Sequence, residues 1–216
     1  VNKLTEAESQ KLKMLEEELH KRVIGQDEAV SLVAKAIKRS RAGISAKRKP
    51  VSFIFAGPTG VGKTKSIELI LRSAFLSERA TTAVIVAPLR ALCNEITSDM
   101  SHAFGQEVNI NQFSDVLQAD FLFSFEEEEK QILICTPEKL SYVLHHQADF
   151  LDSIDLFVFD EGHMFDDGGR GVTYELLVTH IRNELTDDQQ VVLLSAVLPN
   201  SNEIKEWLFQ EKGVLA

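Results

Sequence analysis

Eight consecutive residues narrow the folds open to this chain more than anything else in it. Gly57-Pro58-Thr59-Gly60-Val61-Gly62-Lys63-Thr64 has the spacing G-x-x-x-x-G-K-[ST], which is that of the phosphate-binding loop called Walker A. The apolar run Val51 to Ala56 before it reads as a buried strand, and Ser66 to Phe75 after it has helical character. A polyphosphate needs several N–H donors aimed inward at close range. Gly57, Gly60 and Gly62 let the backbone curl without Cβ clashes, and the helix that follows adds its unpaired N–H groups and positive dipole end. Lys63 is expected to reach the β- and γ-phosphates, and the Thr64 hydroxyl to ligate Mg²⁺. The expected nucleotide-binding residues are therefore Gly57, Pro58, Thr59, Gly60, Val61, Gly62, Lys63, Thr64 and Lys65.

The rest of the chain fits a sheet built around that strand. Apolar runs recur at Thr82 to Ala87, Gln131 to Cys135, Leu156 to Phe159 and Val191 to Leu194, with a weaker extended stretch at Val108 to Ile110. Helical segments lie between them, toward His102, over Val172 to Leu185 and over Ser201 to Gln210. Asp149 to Asp155 reads as a turn. Strands alternating with helices imply parallel β-α-β units and a sheet covered on both faces. The expected class is α/β, a P-loop NTPase with a central, mostly parallel sheet. Ligands should gather at the carboxyl ends of its strands. The polar motifs cluster at those ends: Pro88 to Leu92, Thr136 to Leu140, Asp160 to His163 and Ser195 to Val197.

Charge separates the ends of the chain. Residues 1–50 hold 12 Lys+Arg against 7 Asp+Glu, the remainder 11 against 26, and the net charge of the 216 residues is −10. Two units are expected: a two-helix segment with a basic linker over residues 1–50, and the nucleotide-binding domain over 51–216. Thr5-Glu6-Ala7-Glu8 has capping-box form, and Leu12, Leu15 and Leu19 share one helical face. Gly25 breaks that helix, and a second one buries Val30, Val33, Ala34 and Ile37. Glu16 to Glu18, the glutamates 126–129 and His145-His146 read as solvated surface, and Ala42 to Pro50 as a basic linker; the basic run Lys35 to Lys49 could bind phosphate backbones but reads as solvated. The acidity argues against tight nonspecific binding of nucleic acid. Cys93 and Cys135 lack metal-ligand spacing and read as buried thiols of a reducing compartment. No apolar run reaches the roughly 18 residues of a membrane span, and the N-terminus is not a signal peptide. A cytoplasmic location is expected.

Asp160 and Glu161 end a wholly apolar strand. One carboxylate can hold Mg²⁺ through water and the next can orient or deprotonate an attacking water. Asp160 is assigned to the metal and Glu161 to the base, with Glu161 and Lys63 as the catalytic residues.

Two resemblances refine this reading. LHKRVIGQDEAVSLVAKAIKRSRAG followed by FIFAGPTGVGKT, roughly residues 3–64, resembles the start of the second ATPase module of Clp-family AAA+ unfoldases. That resemblance implies that Val23 and Ile24 lie against the adenine of ATP. From about residue 57 onward, APLRAL, TPEKL, DEGH and SAV resemble the first RecA-like domain of superfamily 2 DExH helicases of the Ski type, as does Gly169-Arg170-Gly171 with Tyr174-Glu175. This implies ATP and Mg²⁺ as cofactors, His163 as a coupling residue, and Arg90, Thr136 and Lys139 as backbone contacts to single-stranded nucleic acid, held weakly. Taken alone, each of those three would read as a cap or a surface charge. Val197 replaces the usual threonine of S-A-T and removes a hydroxyl from the motif that couples hydrolysis to strand movement.

The resemblances meet inside the phosphate loop, whereas fused domains join at linkers. The expectation is a recombined, engineered chimera. The sequence ends some twenty residues after SAV, so the second RecA-like domain, or an AAA+ neighbour, is expected to be absent. Nucleotide binding with feeble turnover and no unwinding follows, since an arginine finger is worth about 10³–10⁵ in rate in related GTPases. A self-associating AAA+-like protein-remodelling module and an inactive recombined scaffold are the alternatives.

Overall fold

The computed structural model describes residues 14–21, 23–41, 51–56, 63–113, 129–166, 168–196, 201–209 and 214–215. Gly57 to Gly62, the acidic stretch up to Glu128, and Val197 lie outside them, as does the expected unit boundary at residue 50. Seven strands form one sheet: β1 (Phe53–Ala56), β2 (Thr82–Val86), β3 (Asn109–Gln112), β4 (Gln131–Cys135), β5 (Leu156–Phe159), β6 (Gln190–Ser195) and β7 (Val214–Leu215). Their order is β3-β4-β2-β5-β6-β1-β7, and every pairing is parallel. The expected parallel α/β sheet is what the chain forms.

The helices are α1 (described over residues 14–21), α2 (Asp27–Arg41), α3 (Lys63–Leu76), α4 (Arg90–Phe104), α5 (Pro137–His146), α6 (Gly168–Glu184) and α7 (Ser201–Phe209). They cover both faces, and alternation along the strands decides which side chain meets which layer. Phe53, Phe55, Ala83, Ile85, Val158, Val192 and Leu194 face one way and pack with Val30, Val33, Ala34 and Ile37 of α2, with Ile70 and Leu71 of α3, and with Met100 and Phe104 of α4. Ile54, Val84, Val86, Phe157, Phe159, Val191 and Leu193 face the other way and pack with α5, α6 and Leu208 of α7. Burial on both faces is why TAVIV, QILIC, LFVF and QVVLLS read as unbroken apolar runs. Each large side chain so covered contributes about 1.5–3 kcal/mol.

The stripe expected on α2 is buried as read, and Leu19 of α1 joins the same core. Gly25 breaks the two helices apart at φ +76°, a conformation glycine adopts without Cβ strain. Of the glutamates read as solvated, Glu17 and Glu18 are exposed, but Glu16 lies 3.5 Å from Lys38 and links α1 to α2. Two local readings are corrected. The expected turn at 149–155 is a 3-10 helix over Ala148–Ser153, seating Phe150 and Leu151 in the core. The final pair Val214–Leu215, which no sequence pattern marked, adds a strand beside β1. Both cysteines are buried, as expected.

Topology concentrates the motifs. The chain leaves β1 at the phosphate loop and next enters the sheet at β2, three strand positions away. β5 and β6 later fill that gap, so the carboxyl ends of β1, β6, β5 and β2 stand side by side. A strand order that reverses in this way opens a crevice at those ends.

Candidate functional site

Strand register sets the geometry of the crevice. Phe53 and Val158 both pair with Val192 of β6, from opposite sides. Counting onward, Asp160 stands level with Phe55 and Glu161 level with Ala56, with β6 between. The two strand ends are therefore about 10 Å apart, two strand spacings. On the other side of β5, the Asp160 N–H donates to Val86 O at 2.9 Å, and Ala87 N–H to Cys135 O at 3.0 Å. The segments beginning at Ala87, Thr136 and Asp160 thus leave the sheet abreast.

Asp160-Glu161-Gly162-His163 is held by local constraints that its letters alone do not reveal. Asp160 Oδ1 accepts the Glu161 N–H at 2.9 Å. The Tyr174 hydroxyl donates to Asp160 O at 2.6 Å from α6. Tyr174 is buried, with its ring edge-on to Phe159 at 6.0 Å. Burial, then the negative charges of Asp160 and Glu161, push its phenol well above the ordinary tyrosine value, so the group remains a neutral donor. Glu161 has φ +54°, the left-handed region that a residue with a Cβ enters only at a cost. A 2.9 Å bond from Met164 N–H to Glu161 O holds it there. Gly162 is a close approach: a Cβ at this position would stand 2.7 Å from Leu193 Cδ1 and 3.3 Å from Leu194 O. Leu193 is fully buried, so its side chain would have to shift within the core.

This turn aims one oxygen. Glu161 Oε2 is shielded from solvent, and among the described residues nothing hydrogen-bonds to it. His163 Nδ1 approaches it to 3.1 Å, an ion-pair distance. A shielded carboxylate oxygen without a hydrogen bond is costly, and such groups mark places where something else is meant to bind or react. Ser195, at the end of the intervening β6, is fully buried.

The remaining predicted residues divide. Lys63 and Thr64 open α3, at the end of the loop whose residues 57–62 are not described. Lys65 lies on the first turn of α3, exposed, with its amine 2.9 Å from Glu68 Oε2. Val23 is buried in the core, whereas Ile24 is 90% exposed, so the two residues expected at adenine point to different surroundings. Arg90 is exposed at the start of α4, and Thr136 and Lys139 are half-buried at the start of α5. Neither helix has a side-chain cap at its N-terminus. His145 and His146 are exposed on α5, as read, and among the described residues no group of three or more His, Cys, Asp or Glu could hold a metal ion. Sequence reasoning missed the roles of Tyr174 and Gly162. The glycine inside DEGH was a usable signal; the tyrosine carried none beyond its place in the helicase-like segment.

The DEAD/DEAH box helicase model matches residues 34–205. The chain belongs to the DEAD/DEAH box helicase family. The match begins inside α2, upstream of the phosphate loop, so this helicase domain takes in part of the segment that also resembles Clp proteins. Chaperone protein ClpB 1 of Thermosynechococcus vestitus is 58% identical over 85 residues, 39% of this chain and 10% of that protein. The Hachiman protein HamB of Bacillus cereus is 31% identical over 161 residues, 74% of this chain and 14% of that protein. Together 85 and 161 residues exceed the 216 present, so at least 30 residues belong to both matches. The chain thus spans about a tenth to a seventh of the length of these relatives. In fold it resembles the crystal structure of the Pyrococcus furiosus Hef helicase domain, with TM-score 0.66 and 17% identity over 93% of this chain and 38% of that one. Both resemblances noted in the sequence are therefore present: a helicase RecA-like domain, and a Clp-like stretch over part of it.

Proposed function

We propose that this helicase domain binds ATP with Mg²⁺ at the carboxyl ends of β1 and β5 and hydrolyses it slowly. The observation that carries the reading is Glu161 Oε2: shielded, without a hydrogen bond, and held by a left-handed backbone beside Asp160. The oxygen donors available here suit a hard cation such as Mg²⁺. Asp160 and Thr64 would hold the ion, which when bound would neutralise charge on the phosphates. Lys63 binds the terminal phosphates, and Glu161 takes the proton of the attacking water through Oε2. Tyr174 and Gly162 fix the turn from which both carboxylates project. His163, 3.1 Å from Glu161, is the residue through which the base senses its surroundings.

Slow turnover is supported by where the arginines go. Arg72 is bound to Glu68, Arg79 to Ser77 and Arg182 to Trp207 O, so these three are committed away from the crevice. An arginine supplied to the transferring phosphate is worth about 10³–10⁵ in rate. These 216 residues tested alone should therefore bind nucleotide well and hydrolyse it poorly, without unwinding.

Single-stranded nucleic acid is the proposed second ligand, held weakly. The N-termini of α4 and α5, neither with a side-chain cap, stand beside Arg90, Thr136 and Lys139, and a helix N-terminus with a nearby cation suits a phosphate backbone. The surrounding acidity keeps the affinity low. Two tests follow. ATP with Mg²⁺ should raise the melting temperature, and a single-stranded oligonucleotide should speed turnover. No rise with ATP would remove the nucleotide site from this reading.

The chimeric origin is part of the same proposal. Its support is the pair of relatives from different families whose matches share at least 30 residues of this chain. The AAA+ alternative predicts nucleotide-dependent hexamers in light scattering, where the helicase reading predicts monomers.

A further inference from the structure

Among the described residues, the one buried carboxylate in the α3 layer lies outside the crevice. Glu68 is 4% exposed and sits one turn below Lys63-Thr64. Its Oε2 accepts from Lys65 Nζ at 2.9 Å and its Oε1 from Arg72 Nε at 3.1 Å. Burial alone would push the carboxyl upward, but the hydrogen bonds and charges of Lys65 and Arg72 outweigh it and leave the group below the usual carboxylate range. Glu68 is therefore an anion with two cations spaced along one helix face.

Arg72 does not stop at Glu68. Its Nη2 donates to Ala103 O, in the last turn of α4, where the carbonyls lack helical partners and favour a cation. Its guanidinium lies 4.6 Å over the ring of Phe104, and that ring meets Phe75 of α3 edge-on at 6.1 Å. Glu107 approaches Arg72 Nη1 only to 4.0 Å and is 80% exposed, so it adds little. The planar fork of an arginine can satisfy a carboxylate, a carbonyl and a ring face together, as a lysine ammonium cannot.

We infer that Arg72, fixed by Glu68, is a positioning residue that makes α3 and α4 move as one body, so that a shift of the first turn of α3 is carried to Arg90 at the far end of α4. The inference rests on the proposed function, which puts nucleotide at the start of α3 and nucleic acid at the start of α4. Geometry supplies the link: a continuous chain of contacts from Lys65 through Glu68 and Arg72 to Ala103 and Phe104, then the rigid rise of α4 back to Arg90. Neither Glu68 nor Arg72 belongs to the crevice, so coupling can be lost while binding persists.

The test uses the full chain, ATP with Mg²⁺, and a single-stranded oligonucleotide, at a temperature where melting curves show each variant folded. Arg72→Met keeps the stem and deletes the fork; Arg72→Lys keeps the charge and deletes the bond to Ala103 O and the stacking. Expected for both is an ATP affinity and basal turnover within about twofold of wild type, with stimulation by the oligonucleotide reduced about tenfold. A purely structural role would lower basal and stimulated turnover by one common factor, and that result overturns the inference. So does full stimulation in both variants. A wild type that binds ATP but ignores the oligonucleotide overturns the nucleic-acid part of the proposed function and the relay with it. A wild type that does not bind ATP overturns the proposed function as a whole.

Discussion

Glu161 carries the account at the scale of single residues, because it combines a shielded oxygen with a left-handed backbone. Glu161→Gln keeps size and polarity but cannot accept a proton. We expect ATP binding unchanged and turnover reduced at least a hundredfold, read in single-turnover hydrolysis; undiminished turnover would assign the base elsewhere. Gly162→Ala forces a methyl to within 2.7 Å of Leu193 Cδ1, and overpacking of this kind costs about 1–3 kcal/mol, measurable by urea unfolding. A cost near zero would mean the turn can shift, and that the close approach does not fix Glu161. The pair Asp160-Glu161 was legible in the sequence because two carboxylates ending an apolar strand are conspicuous. The left-handed backbone and the support from Tyr174 were not, because each depends on what α6 and β6 bring to the turn from elsewhere in the chain.

At the scale of elements, the sheet was readable because its strands are buried on both faces and its helices on one. Alternation along β1 sends Phe53 and Phe55 to one layer and Ile54 to the other, a division that follows from pleating alone. What escaped were elements without a pattern. Val214–Leu215 is too short to show a period, and Ala148–Ser153 is a 3-10 turn built around two buried apolar side chains. The Glu68 network yields a prediction at this scale. Its carboxyl titrates below the usual value in the folded chain, so its contribution is complete above the unfolded value near 4.5 and is lost as pH falls through the lower folded value. In urea titrations below about pH 4.5, wild type should lose stability more steeply than Glu68→Gln; parallel curves would mean the carboxylate is not stabilised by its partners. At neutral pH, Arg72→Met leaves that buried anion without one of its two cationic partners and should cost about 2–3 kcal/mol. Lys65 is 59% exposed, and its pair is screened by salt.

At the scale of the whole molecule, similarities to two families overlap in one chain, and the physical question is whether the helices before the phosphate loop share a core with the sheet. Leu19, Val23, Val30, Val33, Ala34 and Ile37 lie in the same buried cluster as Phe53, Val192 and Leu194, so α1 and α2 are packed into the domain and not appended to it. Family membership was legible from motifs in order along the chain; the depth to which α2 is built into the sheet layer was not, since composition and charge suggested a boundary near residue 50. The central claim is that ATP and Mg²⁺ sit between the loop after β1 and the carboxylates after β5. The most direct measurement is the melting temperature of the full chain with ATP alone and with ATP plus Mg²⁺, for wild type, Lys63→Ala and Asp160→Asn. At 100 times Kd the ligand should add about 2.7 kcal/mol, a rise of about 5–10 °C for a domain of this size. Lys63→Ala should abolish the rise, and Asp160→Asn should remove the part that depends on Mg²⁺. A wild-type curve indifferent to ATP, or an equal rise in all three proteins, would contradict the account.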